Sequence, residues 1–294
     1  MLWPHARIRR ARNVAIQERI AVARRDSPES EAWLGLLEAA LTESEEGARW
    51  DAAAPAAAPH HPVKAPLLWQ SRITVDRRGR RWVRSLLKRA GRFNARAIDG
   101  VSLLEAAVRQ DDARMDALGR AADADVHVVR VAAQLAALPL LQACRRRLAS
   151  QLPPSWWEGY CPVCGAWPVL AEYVGLERKR QLRCGRCGTG WAMPLLRCVF
   201  CDETDHERLA YLTPDGDETR RVEVCNSCKG YVKALTTVRA LAPWVILLDD
   251  LATVPLDIAA LDRGYRRPER PGYALEAEVV EVGGGFGGWW RLRP

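Results

Sequence analysis

The chain has 294 residues, 48% of them hydrophobic and 27% charged, with a formal net charge of +8 at pH 7. That length accommodates about two domains, and that composition excludes a disordered chain. No run approaches the ~18 consecutive apolar residues that a membrane span needs, and the arginine-studded stretch 1–26 lacks the apolar middle of a secretory signal, so a cytoplasmic protein is expected.

Basic character belongs to the first half. Residues 1–150 hold 26 Lys/Arg against 17 Asp/Glu, whereas the remainder holds 18 against 19. Ser27-Pro28-Glu29 places an N-cap serine before a first-turn proline and acid, and a helix through Trp33, Leu34, Leu37 and Leu41 should follow. Residues 51–62, rich in Ala and Pro, read as a flexible or extended connection. Helices are expected near Arg80–Ala90, over Val101–Leu118, and over Asp125–Gln151. The last carries Val128, Val131, Leu135, Leu138, Leu141 and Leu148 at helical spacing, with Pro139 as a kink. Cys144 on this helix reads as a buried, inert thiol.

Pro153-Pro154 ends the helical half. Beyond it stand four Cys-x-x-Cys pairs: Cys161/Cys164, Cys184/Cys187, Cys198/Cys201 and Cys225/Cys228. Four such pairs in so short a span favour metal over disulfides, because each two-residue gap forms a tight turn that aims both sulfurs at one ion. Nineteen residues separate Cys164 from Cys184 and 23 separate Cys201 from Cys225, room in each case for a strand, a turn and a returning strand. The strands are expected over Pro168–Val174 and Arg178–Leu182, then Arg208–Leu212 and Arg220–Val224 around Pro214-Asp215-Gly216-Asp217. Two successive ribbon-like sites of four thiolates follow, although pairing of the first pair with the third remains open. The link between Cys187 and Cys198, with Trp191 and Met193, is a candidate shared strand. A helix is expected over Asp249–Arg263, with Thr253 as a cap because Pro255 must fall in a first turn.

Four thiolates around a divalent ion leave a formal charge of −2, and Arg178, Lys179, Arg180, Arg183, Arg186 and Arg197 near the first site, with Arg220, Arg221 and Lys229 near the second, can compensate it. An all-thiolate site is closed and therefore structural, and the ligands suit iron and zinc equally. His206, between acids, reads as a surface residue, and no catalytic grouping stands out, so no enzyme is expected. Trp156, Trp157, Trp167 and Trp191 crowd the first site and read as its wall.

Two other functions compete. A zinc-ribbon nucleic-acid-binding protein is disfavoured because residues 200–262 hold 12 Asp/Glu against six Lys/Arg. A thiol redox protein needs a metal-free pair, and four pairs at ribbon spacing leave none spare.

The segment Gly159-Tyr160-Cys161-Pro162-Val163-Cys164-Gly165 resembles the first motif of the FdhE family of formate dehydrogenase accessory proteins. The resemblance continues through Leu182-Arg183-Cys184, Cys187, Trp191, Arg197-Cys198, Cys201, Glu223-Val224-Cys225, Cys228 and Tyr231-Val232-Lys233. It ends at Asp249-Asp250-Leu251-Ala252-Thr253, Leu256-Asp257 and Gly264-Tyr265, so it covers about residues 157–267. It implies a cytoplasmic maturation factor that binds the catalytic subunit of respiratory formate dehydrogenase and is needed for its active form. It also implies a rubredoxin-like metal region with the eight paired cysteines as ligands to two ions, iron or zinc. Asp250 and Asp257 lie seven apart, and with Asp249 they are candidates for partner docking.

The expected architecture is α+β: an all-α helical domain over 1–152, then two tandem rubredoxin-like or zinc-ribbon-like tetrathiolate modules over 153–268. Residues 269–294, ending in a Gly- and Trp-rich stretch, are expected to form a flexible tail.

Overall fold

In the computed structural model, residues 3–45, 47–56, 62–91 and 93–282 are described. The first half comprises helices α1 (Trp3–Asp26), α2 (Glu31–Glu45), α3 (Ala48–Ala53), α4 (Arg77–Ala90), α5 (Gly100–Arg109), α6 (Asp112–Ala121) and α7 (Val126–Leu148), with a short strand β1 (Arg72–Val75) before α4. Helix α7 is the hub and touches α2, α3, α4, α5 and α6. Its extension to Gln151 is long and apolar enough to cross a membrane by length and composition, yet 67% of its apolar window is buried inside the protein. It is a core helix. Four aspartates start these helices: Asp76, Asp99, Asp111 and Asp125 each accept backbone N–H bonds from the first turn of α4, α5, α6 and α7.

Several elements differ from the sequence reading. The helix expected over Val101–Leu118 is two helices, because Gln110 adopts the left-handed conformation at φ 59° and Asp111 caps a fresh start. Ser27 makes no side-chain cap; it leads a short 3-10 turn between α1 and α2. Helix α7 continues through Pro139. Residues 51–53 of the expected connection belong to α3, and 57–61 lie outside the described residues. Helix α1 escaped the sequence reading because its arginines outnumber its buried apolar contacts, of which Ile16 and Ile20 are fully enclosed.

The second half is built on a six-stranded sheet: β2 (Leu170–Val174), β3 (Lys179–Arg183), β4 (Gly190–Ala192), β5 (Leu209–Leu212), β6 (Arg220–Cys225) and β7 (Tyr231–Thr237), in spatial order β4-β3-β2-β7-β6-β5. Two antiparallel hairpins, β2–β3 and β5–β6, stand where the cysteine spacing placed them. The link carrying Trp191 and Met193 is not the shared strand. β4 pairs only with β3, and the two ribbons join instead through a parallel β2–β7 pairing, with Leu170 opposite Lys233 and Val174 opposite Thr237. Parallel strands require a long connection, and the 56 residues between Val174 at the end of β2 and Tyr231 at the start of β7 provide it.

Helices α8 (Ile246–Ala252) and α9 (Val254–Leu261) break at Thr253, with Pro255 in the first turn of α9. Thr253 Oγ1 donates to the carbonyls of Asp249 and Asp250. The chain then returns to the helical half: β8 (Glu278–Glu281) pairs in parallel with β1, Arg72 opposite Glu278 and Val75 opposite Glu281. Over 269–282, therefore, the expected tail is replaced by a segment that buries Leu275, Ala277 and Val279, the alternation of a strand half-sunk in a core. The Gly- and Trp-rich stretch 283–294 lies outside the described residues. One apolar core runs from Ile16 to Val279 and includes Cys161, Cys164, Cys184 and Cys187.

Candidate metal centres

Each of the four cysteine turns has the same construction. The N–H of the first cysteine donates to the carbonyl five residues on: Cys161 to Ala166, Cys184 to Thr189, Cys198 to Glu203 and Cys225 to Gly230. The fourth residue after each first cysteine is left-handed: Gly165 at φ 69°, Gly188 at 77°, Asp202 at 61° and Lys229 at 59°. Glycine enters that region without a Cβ penalty. At Gly165 a Cβ would also approach the Tyr273 carbonyl to 2.7 Å, and at Gly188 it would sit 2.5 Å from Pro243. Backbone N–H groups point back at sulfur in every turn: Val163 to Cys161, Cys187 to Cys184, Phe200 to Cys198 and Gly230 to Cys228, at 3.3–3.5 Å.

Consecutive turns meet. Cys161, Cys164, Cys184 and Cys187 form one cluster and Cys198, Cys201, Cys225 and Cys228 the other, with all sulfurs of a cluster within 4.8 Å of one another. The interleaved alternative is thereby set aside. Sulfur separations are 3.4 Å for Cys161–Cys187, 3.5 Å for Cys164–Cys184, 3.7 Å for Cys198–Cys228 and 3.8 Å for Cys201–Cys225. A tetrahedron with metal–sulfur bonds of ~2.3 Å has edges of about 3.8 Å, so both clusters fit an ion of that size. Either can hold one.

The clusters differ in their surroundings. All four thiols of the first are buried, and Thr189 Oγ1 lies 3.0 Å from Cys187 Sγ. Its turns are fastened to the helical half. Leu67 and Leu68 N–H groups donate to the carbonyls of Pro162 and Val163, Gln110 Nε2 donates to the Cys164 carbonyl at 3.2 Å, and Arg186 donates to the Ala107 and Val108 carbonyls at the end of α5. In the second cluster Cys201 and Cys228 are exposed. Without an ion, burial pushes Cys161 and Cys187 well above the ordinary thiol range. It pushes Cys228 up to about 11 against the pull of the Gly230 N–H. Burial opposes the Cys225 thiolate too, but the N–H groups of Cys228 and Ser227 bring its pKa below the usual value. Cys144 is fully buried and raised to about 12, chiefly by burial and then by the charge of Cys164, as expected of an inert thiol.

Most of the nearby cations serve carboxylates. Arg180 pairs with Glu223, Arg183 with Glu172 at 3.1 Å, Arg197 with Asp202 at 2.9 Å and Arg220 with Asp217 at 3.8 Å. Arg221 stacks between the rings of Tyr173 and Tyr211, and Lys229 lies over Tyr265. Glu172, fully buried, also accepts from Thr237 Oγ1 and the Leu241 N–H. The tryptophans divide. Trp156, Trp157 and Trp191 line a groove of about 510 Å³, while Trp167 packs edge-on against Phe200 and so joins the turns of the two clusters.

The acids face inward. Asp249 pairs with Arg19 of α1. Asp250 and Asp257 clamp the fully buried Lys233 at 2.8 and 2.6 Å, and Arg267 reaches both at 3.5 and 3.0 Å. Tyr231 donates to Asp257. The sequence separation of Asp250 and Asp257 gave no sign of this four-charge network, because its cations come from β7 and from beyond α9. Gln110 and Arg186, which tie the first cluster to the helices, were equally silent. His206 is exposed, as expected.

A family model described as FdhE, C-terminal domain, matches residues 196–271. Among curated proteins, a Protein FdhE homolog of Aquifex aeolicus is 31% identical over 118 residues, 39% of this chain and 41% of that protein. Protein FdhE of Escherichia coli is 33% identical over 112 residues, 37% of this chain and 35% of that protein. The aligned part thus spans about two-fifths of the length of these relatives. The crystal structure of the FdhE protein from Pseudomonas aeruginosa shares the fold across 89% of this chain and 94% of that one, with a TM-score of 0.55 and 22% identity.

Proposed function

We propose that this chain is a member of the FdhE family, a reading its similarity to that family over the cysteine-bearing part supports, and that it is a cytoplasmic accessory factor, not an enzyme, needed for an active respiratory formate dehydrogenase. It acts by binding the catalytic subunit of that enzyme. The observation that carries this reading is the pair of tetracysteine clusters set in series along one sheet. With two ions bound by Cys161, Cys164, Cys184, Cys187, Cys198, Cys201, Cys225 and Cys228, iron or zinc, the two ribbons become one rigid platform. Bound metal supplies cross-linking, and iron would add one-electron chemistry. Residues 1–152 and 153–268 form its helical and metal-bearing parts.

Closed sites with four thiolates leave no position for substrate, which supports an accessory role over catalysis. Asp249, Asp250 and Asp257 retain a role in docking through the shape of the α8–α9 segment, since their charges are spent on Arg19, Lys233 and Arg267. The test is co-purification of the full-length chain with the catalytic subunit, with metal analysis of the complex. Two metal equivalents and a complex lost on Cys184→Ser are expected. A chain that carries two ions yet never retains the subunit overturns the partner assignment. A chain with no bound metal overturns the whole reading.

A further inference from the structure

The sheet ends on an open edge. β5 lies outermost, beyond β6, and the Asn226 N–H donates to the Arg208 carbonyl in the register Leu209 opposite Cys225 and Ala210 opposite Val224. In an antiparallel ladder, bonding residues alternate, so Arg208, Ala210 and Leu212 turn their polar groups toward β6. The N–H and carbonyl of Tyr211 and the carbonyl of Leu209 then point away from the sheet; the Leu209 N–H is taken by the His206 carbonyl. Natural proteins usually cover or charge such an edge. Among the described residues no strand lies beyond it, and Ala210 and Tyr211 are exposed.

Three features describe what would fit. First, a cavity of about 50 Å³ lies beside β5, with Leu195, Leu196, Phe200, Leu209, Tyr211 and Glu223 in its lining, and Leu195 and Leu196 are more than half exposed. Second, both ends of the strand are acidic. Seven carboxylates and one arginine lie between Asp202 and Glu218. Third, the one arginine of that stretch, Arg208, is held by Glu203 and Asp205, whereas no ion pair involves Glu207, Asp215 or Glu218 among the described residues. A second copy of this chain adding edge to edge would bring these carboxylates together, and nucleic acid would meet them as like charge.

We propose that β5 is a docking edge for an extended, positively charged segment of a partner protein, which adds to the sheet as a further strand beside the second cysteine cluster. Main-chain bonds to Leu209 and Tyr211 would supply affinity, the cavity would take one apolar side chain, and the acidic rim would favour lysine or arginine at both ends of the segment. This goes beyond the accessory role and does not depend on which protein supplies the strand.

The probe is a fluorescent peptide of alternating Val and Thr with lysine pairs at both ends, titrated into the full-length, metal-loaded protein. Saturable binding that weakens with added salt is expected. Tyr211→Pro removes the outward N–H and should weaken binding about tenfold or more, whereas Tyr211→Val keeps that donor and retains it. Joint replacement of Glu207, Asp215 and Glu218 by Lys should weaken it similarly. Hydrogen exchange should slow at residues 209–212 in the complex. Metal content and circular dichroism report whether Tyr211→Pro stays folded; should it not, a peptide N-methylated at its central residues must show the same loss against unaltered protein. Undiminished binding of that N-methylated peptide, equal binding of a peptide with glutamates in place of the lysines, or self-association of the protein through β5 overturns the proposal.

Discussion

The two cysteine clusters share ligands, spacing and turn construction, but one lies inside the molecule and the other at its surface. The first has glycines in its left-handed positions, four buried thiols, and five direct tethers to the helical half through Leu67, Leu68, Gln110 and Arg186. The second has Asp202 and Lys229 in those positions, two exposed thiols, and a sheet edge open to solvent. Glycine tolerates the close approach of Tyr273 and Pro243 where the first cluster meets the remainder of the protein, whereas at the second cluster Asp202 pairs with Arg197 and Lys229 lies over Tyr265. The same motif thus serves as a joint in one place and as a surface feature in the other.

That contrast is open to direct tests. The largest effect is expected for Cys184→Ser. Metal binding at such a site contributes on the order of 10 kcal/mol, so this variant should lose the first ion and the cooperative melting of the helical half, read by metal analysis and calorimetry. Cys201→Ser should lose one ion and leave helical melting nearly unchanged; equal damage from the two variants would erase the distinction. Lys233→Met leaves Asp250 and Asp257 with Arg267 as a shared cation and Tyr231 as a donor to Asp257. It should cost about 3 kcal/mol in denaturant unfolding, more than any single change at the surface cluster's own cations.

Smaller effects sharpen the same contrast. A chelator should remove the second ion before the first, followed by absorbance of a metal indicator, because Cys201 and Cys228 are open to attack. Simultaneous release of both ions would contradict that. Gln110→Ala removes one hydrogen bond to the Cys164 carbonyl and should cost about 1 kcal/mol, with first-site chelation accelerated and second-site chelation unaffected. Cys144, raised to about 12 by burial, should resist alkylation of the native protein at pH 8. Its modification at the rate of an exposed thiol would show that the core around α7 opens.

The cysteine turns and both hairpins were legible in the sequence because their determinants are local: a two-residue gap between cysteines, an interval of strand-turn-strand length between pairs, and a β-turn sequence. So was the apolar spacing of α7, and Pro255 does fall in a first turn, although Thr253 makes no side-chain cap to α9 and its hydroxyl instead donates back to α8. What eluded it depends on partners distant in sequence. The Asp250–Lys233–Asp257 network joins a strand to two helices, and the β2–β7 pairing that fuses the ribbons rests on strands with no special composition. Local chemistry was misread as well: Asp111 was taken for part of a long helix although it caps a new one. Helix α1 went unread in the arginine-studded stretch 1–26, yet it lies against α2 and α8, and Arg19 pairs with Asp249.

The parallel union of β1 with β8 couples residue 72 to residue 278, and with it the order in which the nascent chain can settle. As the ribosome delivers the polypeptide from its amino end, Ile73 and Val75 must wait, unpaired, until some two hundred further residues have emerged. The helical half is finished only after the cysteine ribbons have been synthesised. Closure by β8 therefore acts as a late latch, fastening over a region in which the metal ligands have already had time to assemble.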